Sequence, residues 1–401
     1  MTSTISTQTS PVSTLDAVEE LHAALEHLAL HAGSDLHVVA DSKPMARIDG
    51  SLNPIDGWPA WSADFVAEML TSILTAAQLA RFEEELELDF AYSLPDGARF
   101  RVNIYRQRGK LGAAFRLIPS VIVPLAELGL PAAVSQFAGL QRGLVLVTGP
   151  TGSGKSTTLA SLVHLASQTR AAHIMTIEDP IEFVHTSGTS LINQREVGTD
   201  TYSHATAIRQ ALRQDPDIIL LGELRDIETI SAALTAAETG HLVFATLHTQ
   251  SAAQTVDRII DAFPADQQDQ VRQMLALTLK GVVSQTLVKK STGSGRMLAA
   301  EVLVVNSAAS AMIREGKAHQ IGSIMESGRD LGMQTMDQHL SALVDADLVE
   351  VETAVEYATE PAALRSRLNR AVPIADGEDF YALLIDEPAP AHRAPTQRRA
   401  G

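Results

Sequence analysis

The chain has no cysteine among its 401 residues. Disulfides are therefore excluded, and so are zinc sites built on thiolates. It also lacks an excess of positive charge: 31 Lys and Arg stand against 48 Asp and Glu, for a net charge of −17. Non-specific nucleic-acid binders are normally basic, so no direct nucleic-acid partner is expected, although a local basic patch stays open. The first ten residues are polar, with neither a basic start nor an apolar core, so they are not a secretory leader. No apolar run approaches the roughly 18–20 residues that a membrane span needs. These absences lead us to expect a soluble cytoplasmic protein. What is present is an ordinary globular complement of 45% hydrophobic residues, in a length that allows two or three domains.

The chain is organised around Gly143 to Thr158, GLVLVTGPTGSGKSTT. A short apolar run of strand type, Leu144 to Val147, feeds a glycine-rich turn, and a helix-compatible segment follows at once. Gly149, Gly154, Lys155 and Ser156 complete the G-x-x-x-x-G-K-[ST] pattern of a phosphate-binding loop. The glycines let backbone N–H groups curl around phosphate oxygens with no Cβ in the way. The helix behind turns its positive end to the same anion. Gly149, Pro150, Thr151, Gly152, Ser153, Gly154, Lys155, Ser156 and Thr157 are thus the expected nucleotide-binding residues. Lys155 is expected at the β/γ-phosphates, with the Ser156 hydroxyl on Mg²⁺.

Residues 1–13 are Ser- and Thr-rich with little to bury, and a disordered tail is expected. Leu15, Val18, Leu21, Leu25 and Leu28 then mark one face of a helix. His27 and His31, four apart, read as surface histidines in the absence of a carboxylate in register. Strands are expected at Asp35–Ala40 and Pro44–Ile48, and a turn at Asp49-Gly50. Two short helices are expected at Ala63–Leu74 and Thr75–Leu86. A meander of Glu87–Leu94, Arg99–Tyr105 and Leu111–Leu117 follows, with a turn at Pro95-Asp96-Gly97. This outlines a small α+β domain over 14–118. Its meander carries Arg99, Arg101, Arg106, Arg108 and Arg116, which read either as a solvated strand face or as phosphate-reaching arginines.

A linker is expected over 119–140, then a second domain over 141–372. Apolar strands His173–Ile177, Asp217–Leu221 and Leu242–Leu247 alternate with helices Ser203–Arg213, Ile227–Glu238 and Ser251–Phe263. Such alternation implies a mostly parallel sheet covered by helices, with ligands beyond the carboxyl ends of its strands. Those ends carry Glu178, Glu223 and His248. A carboxylate there can orient and deprotonate a water, and another can hold Mg²⁺ through water. We assign Glu178 as base and Glu223 to the metal side, the reverse assignment staying open, with His248 a candidate γ-phosphate sensor and His241 structural. Arg209 and Arg213 read as partners in ordinary ion pairs, and Arg225-Asp226 as a loop ion pair or a subunit contact.

Beyond this, one long amphipathic helix is expected over Pro264–Val283 and a hairpin of Leu287–Lys290 with Ala300–Val305. Helices are expected near Ala308–Glu315, Ile321–Ser327, Thr335–Leu348 and Val351–Ala358. Ala308–Glu315 is expected either in the core or as a docking face. From 373 the composition turns tail-like, and the apolar patch Phe380–Leu384 is a candidate for docking back onto the domain.

Taken together, these motifs resemble the secretion-ATPase superfamily, and most closely the type IV pilus retraction ATPases, over roughly residues 15–345. Gly33–His37 is similar to the start of that family's small domain, Gly149–Thr158 to its Walker A, and Thr176–Glu182 to its Asp box. Asp217–Asp226 is similar to its Walker B, and Thr239–Thr249 to its His box. Ala311–Glu315 resembles the end of its AIRNLIRE signature, from which Ala308–Ser310 depart. The resemblance implies an α/β fold: a RecA-like P-loop NTPase domain with a smaller N-terminal α+β, PAS-like domain. It implies a homo-hexamer that hydrolyses ATP with Mg²⁺, the nucleotide between the domains, and arginines, best matched by Arg108 and Arg116, reaching the phosphates.

The resemblance further implies retraction of type IV pili through an inner-membrane pilus platform protein, with the motor peripheral to the cytoplasmic side of the membrane. The assembly and type II secretion branches carry an extra N-terminal domain and a four-cysteine zinc site. With no cysteine and a start directly at the small domain, retraction is the expected branch. A pilus-assembly or type II secretion ATPase is the alternative, and a nucleic-acid translocase or a nucleotide-gated switch on the same core stands behind it.

Overall fold

The computed structural model describes residues 14–48, 50–95, 97–119 and 121–368. The expected tails, Asp49, Asp96 and the Phe380–Leu384 patch lie outside the described residues. The chain divides into two compact units. Among the described residues, one comprises those up to 122 together with 177–186 and 194–204, and the other those of 123–176, 187–193 and 205–368.

The first unit runs α1 (Thr14–Leu30), β1 (Asp35–Val39), β2 (Met45–Ile48), β3 (Ser51–Pro54), α2 (Ala63–Ser72), α3 (Ala76–Glu85), β4 (Glu87–Ser93), β5 (Arg99–Gln107) and β6 (Lys110–Ile118). Its strands form one sheet in the order β3-β2-β1-β6-β5-β4, and the described pairings are antiparallel. The apolar face of α1 is buried through Leu21, Leu25 and Leu28, with Phe100, Val102 and Phe115 of the sheet in the same core. Thr75 starts α3 with a reciprocal cap to Gln78, which satisfies two otherwise orphaned N–H groups. β3 was not expected; its four residues are all exposed, so they carry no buried period to read.

The second unit runs β7 (Gly143–Thr148), α4 (Lys155–Thr169), β8 (His173–Glu178) up to Thr176, β9 (Leu191–Glu196) up to Asn193, α5 (His204–Ala211) from Ala205, β10 (Ile218–Leu221), α6 (Ile227–Glu238) and β11 (Leu242–Leu247), while Glu178 and Gln194 fall in the first unit. Then come α7 (Ala252–Asp261), α8 (Gln268–Thr278), β12 (Leu279–Lys289), β13 (Arg296–Val304), α9 (Ser307–Arg314), α10 (Ile321–Ser327), α11 (Met336–Asp345), α12 (Val351–Tyr357) and α13 (Pro361–Leu368). Seven strands form one sheet in the order β13-β12-β7-β11-β10-β8-β9, with β12, β7, β11 and β10 mutually parallel. Every residue of β7, β10 and β11 is buried, as expected of parallel strands covered on both faces. Residues 125–128 and 132–139, within the expected linker, are 3₁₀ turns that bury Leu125, Val134 and Phe137.

The expected long helix over Pro264–Val283 does not exist. Helix α8 ends at Thr278 and the chain turns directly into β12. Leu279 to Val283 is a short apolar run, which periodicity alone cannot divide between helix and strand. Here the parallel register with β7, Val282 opposite Leu146 and Val283 opposite Val147, decides for strand. The hairpin over 292–295 is present, on longer strands than expected. In α9, Ala309 and Ile313 are buried, which answers for the core half of the Ala308–Glu315 reading.

His339 of α11 is buried, and its Nδ1 accepts the Ala300 N–H. Burial pushes its pKa down to about 4. The unfolded chain therefore binds this proton first. Stability from neutral His339 is present above about 6.5 and drains away as pH falls toward 4, by about 3 kcal/mol in all. Burial acts oppositely on Glu301, raising its pKa, so Glu301 favours the folded state more at low pH. The expected outcome is thus differential: in urea titrations, His339→Gln loses less stability than wild type between pH 6.5 and 4.

Candidate nucleotide-binding and hydrolysis site

The loop after β7 has the shape its sequence requires. Gly149, Gly152 and Gly154 take φ of +142°, +79° and +88°, a region that side chains other than glycine's rarely tolerate. At Gly149 space is the second constraint: a Cβ there would lie 2.1 Å from the Gln285 carbonyl oxygen. Gly154 caps α4 without any side-chain hydrogen bond. The first N–H groups of a helix have no intrahelical carbonyl to bond, so the start of α4, at Ser156 and Thr157, offers donors for an anion. The Ser153 hydroxyl is buried and has no hydrogen-bond partner among the described residues. Lys155 is buried, and its Nζ donates to the carbonyls of Gly149 (2.8 Å) and Pro150 (3.0 Å). Pro150 and Thr151 are exposed at the loop's crest. An uncapped helix start, an orphaned hydroxyl and a buried ammonium together fit a polyphosphate.

From this loop a groove of about 910 Å³ leads away from Gly154 and Thr157 past Leu128, Pro131, Met297 and Leu298. It is large enough for a nucleoside, and its lining mixes apolar side chains with Lys290, Arg296 and Arg329.

The tips of the neighbouring strands carry the other candidates. Glu223 follows β10 and His248 follows β11. Their side chains meet, His248 Nε2 lying 3.1 Å from Glu223 Oε1, while Arg225 Nε donates to Glu223 Oε2 at 2.7 Å. Arg225 therefore pairs with Glu223 and not with Asp226, which instead caps α6 by accepting from the Thr229 N–H. His241 bonds locally, to the Ala236 carbonyl. Arg209 reaches Thr206 Oγ1 at 3.4 Å, and Arg213 lies past the end of α5. Among the described residues no three acidic or histidine side chains cluster to hold a metal.

Glu178 is the last residue of β8 and is 8% exposed. Its carboxylate accepts the Glu182 N–H at 3.2 Å and Gln194 Nε2 at 3.3 Å. Gln194 escaped the sequence reading because β9, a strand at the sheet's edge, is only partly buried and has no clean alternation. In the first unit, most of the meander arginines have contacts of their own. Arg99 pairs with Glu196 (2.6 Å), Arg101 with Asp89 (3.7 Å) and Arg116 with Asp35 (2.8 Å), and Arg106 lies over the Phe82 ring. Asp35 is partly desolvated, which raises its pKa, but bonds from Ser34 and Arg116 outweigh this and hold it below the usual carboxylate range. Arg108 is exposed in the β5–β6 turn at φ +51°. His27 and His31 stack with ring centroids 4.0 Å apart.

A glycine loop of this pattern and shape, between a buried parallel strand and a helix N-terminus, defines a P-loop nucleoside-triphosphatase. The chain belongs to the family described as type II/IV secretion system protein, whose model matches residues 124–372, and it is an ATPase of the pilus-retraction kind. It is 51% identical over 316 residues to the twitching motility protein of Neisseria gonorrhoeae, covering 79% of this chain and 84% of that one. To the type IV pilus retraction ATPase PilT of Pseudomonas aeruginosa it is 50% identical over 333 residues, 83% of this chain and 96% of that one. Among solved structures, it superposes on the pilus retraction motor PilT with bound ADP at a TM-score of 0.81 and 43% identity, covering 86% of this chain and 99% of that one. No described helix is long and apolar enough to cross a membrane.

Proposed function

We propose that this ATPase powers the retraction of type IV pili, working as a homo-hexamer at the cytoplasmic face of the inner membrane through a pilus platform protein. The observation that carries the reading is the half-identity, over most of both chains, to a retraction ATPase, on a loop whose donors fit a polyphosphate. ATP would lie with its phosphates against residues 149–157 and its nucleoside in the groove past Leu128 and Met297. Ser156 and Glu223 would hold Mg²⁺, which supplies charge neutralisation at the phosphates. Glu178 would accept the proton of the attacking water. Its two hydrogen-bond donors fix the carboxylate's orientation, and a fixed acceptor is what general-base catalysis needs. Glu223 contacts two cationic-type groups, Arg225 and His248, whose positive charge keeps a carboxylate ionised and so suits it to the metal side. Arg108 and Arg116 are the arginines proposed to meet phosphate oxygens during turnover.

Deleting the gene and imaging the cell surface tests the direction of work. Excess, static filaments are the expected result. Loss of filaments would assign the protein to assembly instead.

A further inference from the structure

The phosphate-binding loop is held from outside by one side chain that no sequence motif includes. Gln285 lies on β12, one residue beyond Ser284, which pairs with Thr148 at the end of β7. It is 1% exposed. Its Nε2 donates to the Ser153 carbonyl at 2.8 Å, and its Oε1 accepts the Thr158 hydroxyl at 2.9 Å. One side-chain amide thereby ties the loop's last bend to the second turn of α4.

The direction of the first bond matters. In a trans peptide the carbonyl and the following N–H point opposite ways across one rigid plane. With the Ser153 carbonyl drawn toward β12, the Gly154 N–H is turned away from β12. Gly154 is the helix cap, so the setting of this plane decides where a donor of the cradle points. The Thr158 bond fixes the amide in the orientation that presents Nε2 to Ser153. Without that bond the amide could turn over and offer its oxygen to a carbonyl, which repels it.

We propose that Gln285 is a positioning residue for nucleotide binding: it sets the Ser153–Gly154 peptide so that the cradle is formed before the phosphates arrive. Preorganised donors bind an anion without first paying the ordering of the loop. The proposal rests on nucleotide binding at this loop, so wild type is titrated with ADP in the same series. Absence of wild-type binding would count against that reading, whereas the variants address Gln285.

The test is calorimetric titration of the purified full chain with ADP, together with melting of the ligand-free protein. Gln285→Met keeps the length and loses both bonds. Gln285→Leu also loses both bonds and places a branched apolar group of similar volume there. Each is expected to raise the Kd for ADP by about tenfold to a hundredfold, the scale of a buried polar group left unpaired. A smaller rise in both overturns the proposal. Ser284→Ala is the control for mere loosening of β12: it removes the buried Thr148–Ser284 hydroxyl contact of 2.8 Å without touching the loop's bend. It is expected to lower the melting temperature while leaving the ADP Kd within twofold. If it weakens ADP as much as the Gln285 variants do, the positioning role is overturned. Should neither Gln285 variant fold, Thr158→Val reads the same idea by freeing the amide to turn. At least a threefold weaker ADP affinity is then expected, and an unchanged affinity overturns the proposal.

Discussion

Lys155→Ala is expected to reduce phosphate release from ATP by about a thousandfold or more, the scale seen when a group aimed at developing transition-state charge is removed. The side chain is the one cation within the loop pattern, and it is buried at the start of α4. Its ammonium donates to the Gly149 and Pro150 carbonyls. It is therefore parked beside the place where phosphate oxygens would sit. Alanine is the best helix former, so α4 is expected to start as before and the melting temperature to change little. Phosphate release by the purified variant checks this, with ADP titration beside it. Turnover within tenfold of wild type would remove Lys155 from the reaction.

Glu178→Gln is expected to lower kcat by about a hundredfold to ten-thousandfold, the contribution typical of a positioned general base, while ATP affinity stays within a few-fold. The amide is nearly isosteric but keeps one acceptor oxygen, so it loses either the Glu182 N–H on Oε2 or the Gln194 amide on Oε1; an ATP affinity that stays unchanged is what ties a large loss of kcat to the proton. Glu223→Gln should behave differently. It weakens the contacts to Arg225 and His248, and its signature is a higher Mg²⁺ concentration for half-maximal rate. Titrating Mg²⁺ against turnover in both variants separates the two carboxylates. If Glu223→Gln lost turnover at every Mg²⁺ concentration and Glu178→Gln merely shifted the requirement, the two roles would be exchanged.

The two carboxylates also show how unevenly the chain can be read. Both were singled out from sequence because each closes or follows a buried apolar run, and the ends of such runs are where an open parallel sheet collects its ligands. Their partners were not found. Gln194 sits on a half-buried edge strand, and the Arg225–Glu223 pairing competes with the Arg225-Asp226 pairing that adjacency suggests. Among the arginines of the meander, spacing showed a charged face, but nothing in it marks that Arg99 ends on Glu196 or Arg116 on Asp35.

The sequence by itself determined the phosphate cradle, the alternation that makes a parallel sheet, and the kinship with retraction ATPases. Each of these is written in contiguous residues, where a glycine's freedom, a lysine's charge or a period of apolar side chains acts over one or two turns of chain. Only the tertiary structure decided that 279–289 is a strand, since its pairing partner on β7 lies some 130 residues earlier. The same is true of Gln285 and its hold on the loop. A hydrogen bond across such a separation leaves no local pattern, because its geometry exists only once the sheet has closed.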